Sequence, residues 1–179
     1  MHQIIQVIRI SFLSLLLVSC SFHLKPAATL AAPLHQLYLK TPDPYGQLSR
    51  YLRDYLKMSD VHLVSSAAEA QTVLEILHEE VSQQLLGVSG TQQTRQYNLI
   101  YKVVFQITNM KGLVIYPPQT ITETATLTVQ SNQILASGNQ TSLLYQVMRK
   151  TVAAAIIYRL AGTDITNAVN HANQSPVKK

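Results

Sequence analysis

Residues 95–109, RQYNLIYKVVFQITN, repeat with a period of two: Tyr97, Leu99, Tyr101, Val103, Phe105 and Ile107 occupy one side, and Gln96, Asn98, Lys102, Gln106 and Thr108 the other. Side chains along a strand point alternately to opposite faces, so this stretch predicts a β-strand with one face in a core. The segment TITETATLTVQS alternates in the same way, with Thr120, Thr122, Thr124, Thr126 and Thr128 set against Ile121, Glu123, Ala125, Leu127 and Val129. It predicts a strand with a threonine face and a mostly apolar face. The preceding YPPQ is expected to stay out of the sheet interior, because proline has no backbone donor.

Helical spacing appears twice. Leu48, Tyr51, Leu52, Tyr55 and Leu56 recur three and four apart, after an Asp43 placed to cap and a Pro44 suited to a first helical turn, which predicts a helix over 44–57. Leu144, Val147, Met148, Val152, Ala155, Ile156 and Leu160 carry the same spacing and predict a second helix from about Thr141 to Leu160. LHQLYLKT, residues 34–41, is short, rich in Leu and Tyr and closed by Pro42, the pattern of a first strand.

TVLEILHEEVSQQLL, residues 72–86, fits either a strand or a helix by composition. No capping pattern opens it, and Val73, Glu75, Leu77, Glu79 and Val81 alternate with Leu74, Ile76, His78 and Glu80, so it is read as a strand. GVSGTQQT then supplies a hairpin connection or a mobile tip, and MKG a turn. The order strand, helix, three strands, helix gives an α+β fold, a two-layer sandwich with two helices packed on one face of a four-stranded mixed β-sheet. Its other sheet face is left without a layer. The tail TDITNAVNHANQSPVKK is polar and either frays or adds one short helix.

The N-terminal end has a different organisation. Arg9 precedes an apolar or small run from Ile10 to Val18, about half the roughly 20 residues needed to span a bilayer and typical of an export signal. The run stops at Cys20, the only cysteine, and Leu17-Val18-Ser19-Cys20 resembles the bacterial lipobox. That resemblance implies cleavage before Cys20, a thioether-linked diacylglycerol on its sulfur and an acyl chain on its new amino group. A thiolate is the nucleophile such an attachment needs. An ordinary secretory signal that leaves one unpaired cysteine, or an uncleaved anchor, are the alternatives. Residues 1–19 thus read as a signal peptide, 20–33 as a lipidated linker containing HLKPAATLAAP, 34–161 as the folded domain and 162–179 as the tail. Ser21, where an aspartate would hold a bacterial lipoprotein at the inner membrane, points to the outer membrane, lipid-anchored on the periplasmic side.

Charge and motifs exclude more than they select. The formal charge of +5 falls to +4 once Arg9 leaves with the signal, a bias that suits an anionic lipid or saccharide partner. The envelope compartment argues against nucleic acid, and one cysteine allows no internal disulfide. The sequence contains no HExxH, no glycine-rich phosphate loop and no G-x-S-x-G. His23, His35, His62, His78 and His171 lack ligand spacing, so no metal is expected, and His78-Glu79-Glu80 read as surface groups of a strand. No catalytic residue and no cofactor is assigned.

Taken in order, several stretches carry a family likeness. A lipobox cysteine followed by SFHLK, then DPYGQLSRYLRDYL, a glycine loop, RQYNLIYKVVFQI, the threonine-rich strand and the helix LLYQVMRKTVAAAIIYRL resemble the lipopolysaccharide-assembly lipoprotein family LptE over about residues 20–160. The resemblance implies a non-catalytic protein that plugs the LptD β-barrel of the outer membrane, assists its assembly and takes part in delivering lipopolysaccharide to the outer leaflet. Its partners would be an LptD-like barrel, lipopolysaccharide and the membrane through the lipid anchor. Arg95 at the loop edge, Lys102 on the polar strand face and Lys111 in the next turn are the candidate cations for lipopolysaccharide phosphates; solvated charges flanking a strand are the competing reading for each. A ligand-binding or regulatory lipoprotein of another envelope assembly machine is the alternative function.

Overall fold

The computed structural model describes residues 29–91, 93–130 and 134–174. The expected signal peptide, Cys20 and the first part of the linker lie outside the described residues. Five strands form one sheet: β1 (Gln36–Lys40), β2 (His62–Leu63), β3 (Thr72–Val88), β4 (Thr94–Thr108) and β5 (Val114–Gln130). Their order across the sheet is β2-β1-β3-β4-β5, with β1 parallel to both neighbours and β3, β4 and β5 an antiparallel meander. Three helices accompany them: α1 (Gln47–Met58), α2 (Ile134–Leu160) and α3 (Thr163–Gln174).

The fold is the expected α+β sandwich on a mixed sheet, with one short strand more than the sequence pattern predicted and with the tail forming the helix that was one of its two expected outcomes. The additional strand is β2, whose two residues pair with Gln36 and Leu37 of β1. The tail helix is α3. Ile165 and Val169, four residues apart, put one apolar side on the core, and both are buried. Gly162 permits the tight connection between α2 and α3: a Cβ there would stand 2.9 Å from the Arg159 carbonyl oxygen.

The core lies between the helices and one sheet face. Leu99, Tyr101, Val103, Phe105 and Ile107 of β4 are all buried, as the period-two pattern requires. They pack in one cluster with Leu48, Leu52 and Leu56 of α1 and with Met148, Val152, Ile156 and Leu160 of α2. Each such side chain contributes about 1.5–3 kcal/mol when fully buried, which is what fixes the helices on this side.

α1 starts later than 44–57 predicts, and its cap is not Asp43. Gly46 occupies the N-cap position, and the Asp43 carboxylate accepts from the Tyr45 backbone N–H at 3.2 Å, an Asx turn ahead of the helix. A Cβ on Gly46 would meet Asp43 Oδ2 at 2.6 Å, so a larger residue there must displace the exposed aspartate side chain from its turn. α2 begins seven residues before Thr141, at Ile134.

Two strand expectations need correction. Pro117 and Pro118 lie inside β5 rather than before it. β5 is the sheet edge, where a missing donor faces no partner, and the β4–β5 register shifts beside the prolines, between Phe105 and Ile107 and again between Ile107 and Thr108. In β3 the strict alternation fails at Leu77. A register shift between Ile76 and His78 inserts one residue, so Leu74 and Ile76 face the helices before it, and Glu79 and Val81 after it, opposite Val103 and Tyr101.

Candidate functional site

Because the core faces of β3, β4 and β5 are taken by helices, their remaining side chains form an open sheet face. β5 contributes Thr120, Thr122, Thr124, Thr126 and Thr128, all exposed. β4 contributes Gln96, Asn98, Ile100, Lys102, Val104 and Gln106, of which only Gln96 is fully exposed. The fifteen residues of β4 make this surface roughly 50 Å long at about 3.3 Å per residue.

Charges on this face are neutralised in place. Lys40 Nζ lies 2.6 Å from Glu75 Oε1, and Gln106 Nε2 donates to Glu75 Oε2 at 2.8 Å. The ammonium of Lys40 and then the Gln106 amide hold the Glu75 carboxyl below the usual carboxylate range. Lys102 Nζ lies 3.4 Å from Glu80 Oε2, and His78 Nε2 lies 3.8 Å from the same oxygen. What remains outward is chiefly hydroxyl and amide.

β3 and β4 are joined by a hairpin, which β5 accompanies as far as the Thr94↔Gln130 pair. At its tip the Ser89 N–H donates to the Thr94 carbonyl at 2.9 Å and the Thr94 N–H to Ser89 Oγ at 3.1 Å, which closes the turn. Just below it Leu85, Val88, Ser89, Gly90, Arg95 and Tyr97 line an open groove of about 510 Å³. Leu85 and Leu86 are 56% exposed and Val88 46%, an unusual density of accessible aliphatic surface for one hairpin. Arg95 is exposed and makes no ion pair among the described residues. The groove therefore joins apolar walls to one guanidinium.

The three candidate cations are not brought together. Arg95 lines the hairpin groove on the face that carries the helices, Lys102 lies on the opposite face, and Lys111 sits in the β4–β5 turn at the far end of β4. Asn109 builds that turn by accepting from the Lys111 and Leu113 N–H groups at 2.9 and 3.0 Å. The aliphatic partners of Arg95 escape sequence reading because register shifts decide which face they take: the shift at Leu77 sets Leu85 opposite Tyr97, and a second, between Leu85 and Gly87, sets Val88 opposite Arg95. A second polar cluster, Glu79 with Tyr101 and Arg149, lies under α2 and ties it to the sheet. Among the described residues, no group of His, Cys, Asp and Glu side chains is placed to hold a metal ion.

Comparison with known proteins agrees with this architecture. The family LptE, described as lipopolysaccharide-assembly, matches residues 34–160. The LPS-assembly lipoprotein LptE of Pectobacterium atrosepticum is 27% identical over 164 residues, covering 90% of this chain and 87% of its own. The protein of the same name from Yersinia enterocolitica is 28% identical over 149 residues, with 82% and 70% covered. Among solved structures, the rare lipoprotein B of Shewanella oneidensis superposes with a TM-score of 0.64 at 26% identity, over 74% of this chain and 98% of that one. The lipoprotein B of Nitrosomonas europaea shares the fold, with a TM-score of 0.67 at 20% identity over 81% and 92%. With a match that spans the whole sandwich from the first strand to the end of α2, the chain belongs to the lipopolysaccharide-assembly family LptE.

Proposed function

We propose that this protein is an outer-membrane lipoprotein, anchored by a diacylglycerol and an N-acyl chain on Cys20, that plugs an LptD-like β-barrel, assists the barrel's assembly and takes part in delivering lipopolysaccharide to the outer leaflet. The observation that carries this reading is the open sheet face. Lumen-facing residues of outer-membrane barrels are polar, and a plug must match them with groups that hydrogen-bond without carrying unpaired charge. Five threonines, with asparagine and glutamines beside them and the lysines already paired to glutamates, meet that requirement. No reaction is assigned to it.

As part of this proposal we assign lipopolysaccharide contact to the hairpin groove. A guanidinium binds phosphate through two parallel N–H groups, and the aliphatic walls of Leu85 and Val88 with the Tyr97 ring suit acyl chains. Lys102 is engaged by Glu80, and Lys111 stands at the opposite end of β4, so Arg95 is the principal cation of this site.

The test is a pull-down of the tagged, full-length protein from detergent-extracted outer membranes, with mass spectrometry of what co-elutes. One large β-barrel protein in near-equal amount is the expected result. Recovery of the lipoprotein alone overturns the plug and favours service to another envelope machine.

A further inference from the structure

The two edges of the sheet are treated differently. At one side the sheet ends in β2, two residues long and too short to template another strand. At the other it ends in β5, seventeen residues long, which pairs only with β4 among the described residues. Edge strands expose a row of unpaired N–H and C=O groups, and proteins commonly blunt them with proline, lysine, bulges or short length. The first third of β5 has such guards in Pro117, Pro118 and the register shifts beside them. From Thr120 to Gln130 the register runs unbroken from Val104↔Thr120 to Thr94↔Gln130, with no proline and no lysine, and the one guard is the inward-facing carboxylate of Glu123, which only a strand bearing a cation would satisfy.

We propose that the free edge of β5, Thr120–Gln130, receives an extended strand from a different protein, one that alternates apolar and polar residues and sets a Lys or Arg beside Glu123. The alternation follows from the two faces a sixth strand would continue. On the helix side it would lie beside Ile121, Ala125 and Val129, all half-buried, and on the open side beside the threonines. The cation follows from Glu123, the one charged residue of β5, half-buried on the helix side and without an ion pair or hydrogen bond among the described residues. Opposite charges on adjacent strands stabilise a pair. A second copy of this chain fits poorly, because β5 contains no Lys, Arg or His to offer its twin. The proposal concerns how a partner is gripped and stands apart from the identity of the barrel.

The test uses the full-length protein in detergent micelles and hydrogen exchange of the Thr120–Gln130 amides. The probe is a blocked nonapeptide alternating valine and threonine, with lysine replacing the central valine and the valine and lysine amides N-methylated, so that only the edge carrying the threonine amides, which faces the outward amides of β5 when lysine lies opposite Glu123, can pair. The lysine peptide is expected to slow exchange of the outward amides at least tenfold, and the same peptide with glutamate at the centre several-fold less. Glu123→Lys should reverse that preference. The proposal is overturned if the lysine peptide gives no slowing, or no more than a peptide N-methylated on both edges. It is equally overturned if the protein alone shows concentration-dependent protection of β5, the mark of self-pairing.

Discussion

The Tyr101 hydroxyl donates to Glu79 Oε1 across 2.8 Å, joining β4 to β3 on the face that carries the helices. Arg149 of α2 completes the cluster: its Nε lies 3.3 Å from the same oxygen, its guanidinium stands 5.5 Å from the Tyr101 ring centroid, and its Nη1 donates to Gln47 of α1 at 3.4 Å. Glu79 and Arg149 together thus link two strands and two helices at the limit of the apolar core.

Removing one member should leave its partners short of a contact at a partly buried site. Tyr101→Phe is expected to cost about 1–2 kcal/mol, and Glu79→Ala about 2–3 kcal/mol, because it takes a contact from both a hydroxyl and a guanidinium. Urea denaturation of the single and double variants measures this. A coupling of at least about 0.5 kcal/mol between the two sites is expected.

The same cluster sets an alkaline limit. Burial, then the hydrogen bond to Glu79, pushes the Tyr101 phenol well above its ordinary range, and burial also raises Tyr145. In the unfolded chain both ionise near pH 10, so their contribution to stability is complete below about pH 10 and declines as the pH rises above it. Ultraviolet titration at alkaline pH should show most of the nine tyrosines ionising together and a late component that is lost with unfolding. Tyr101→Phe should reduce that component.

The C-terminal tail is part of the core through α3. Ile165 is 1% exposed and Val169 fully buried, so Ile165→Ala should cost about 2–4 kcal/mol. A thermal melt that left Ile165→Ala unchanged would show that α3 does not contribute to the fold.

At the start of α1, Gly46→Ala should destabilise by about 0.5–1.5 kcal/mol, since the new methyl pushes the Asp43 carboxylate off the Tyr45 N–H. In an Asp43→Ala background the same substitution should cost markedly less. Chemical denaturation of the four proteins of this cycle reads the difference directly.

Much of this architecture was legible in the sequence. The alternation from Tyr97 to Ile107 assigned β4 and its core face, the threonine repeat assigned β5, and the spacing of Leu48, Leu52 and Leu56 assigned α1. What was not legible came from register. One inserted residue at Leu77 turns Glu79 from a surface group into the partner of Tyr101 and Arg149, and no local pattern announces a bulge. The same limit hid the hairpin groove: Arg95 was visible as a cation at a loop edge, but its neighbours take their places through register shifts, Leu85 through the one at Leu77 and Val88 through a second beyond Leu85. Pro117 and Pro118 misplaced the start of β5 because a proline rule for central strands does not bind at an edge. Asp43 was visible as a capping residue, yet the cap belongs to Gly46, which the aspartate packs over.

The most direct test of the account asks what touches the open sheet face in the cell envelope. A photoreactive benzophenone side chain placed at Thr122 and, separately, at Thr126, both exposed on β5, should cross-link on illumination to one large outer-membrane β-barrel protein. Absence of any such adduct from either position, with the lipoprotein present in the outer membrane at normal amount, would contradict a plug whose polar sheet face lies against a barrel wall.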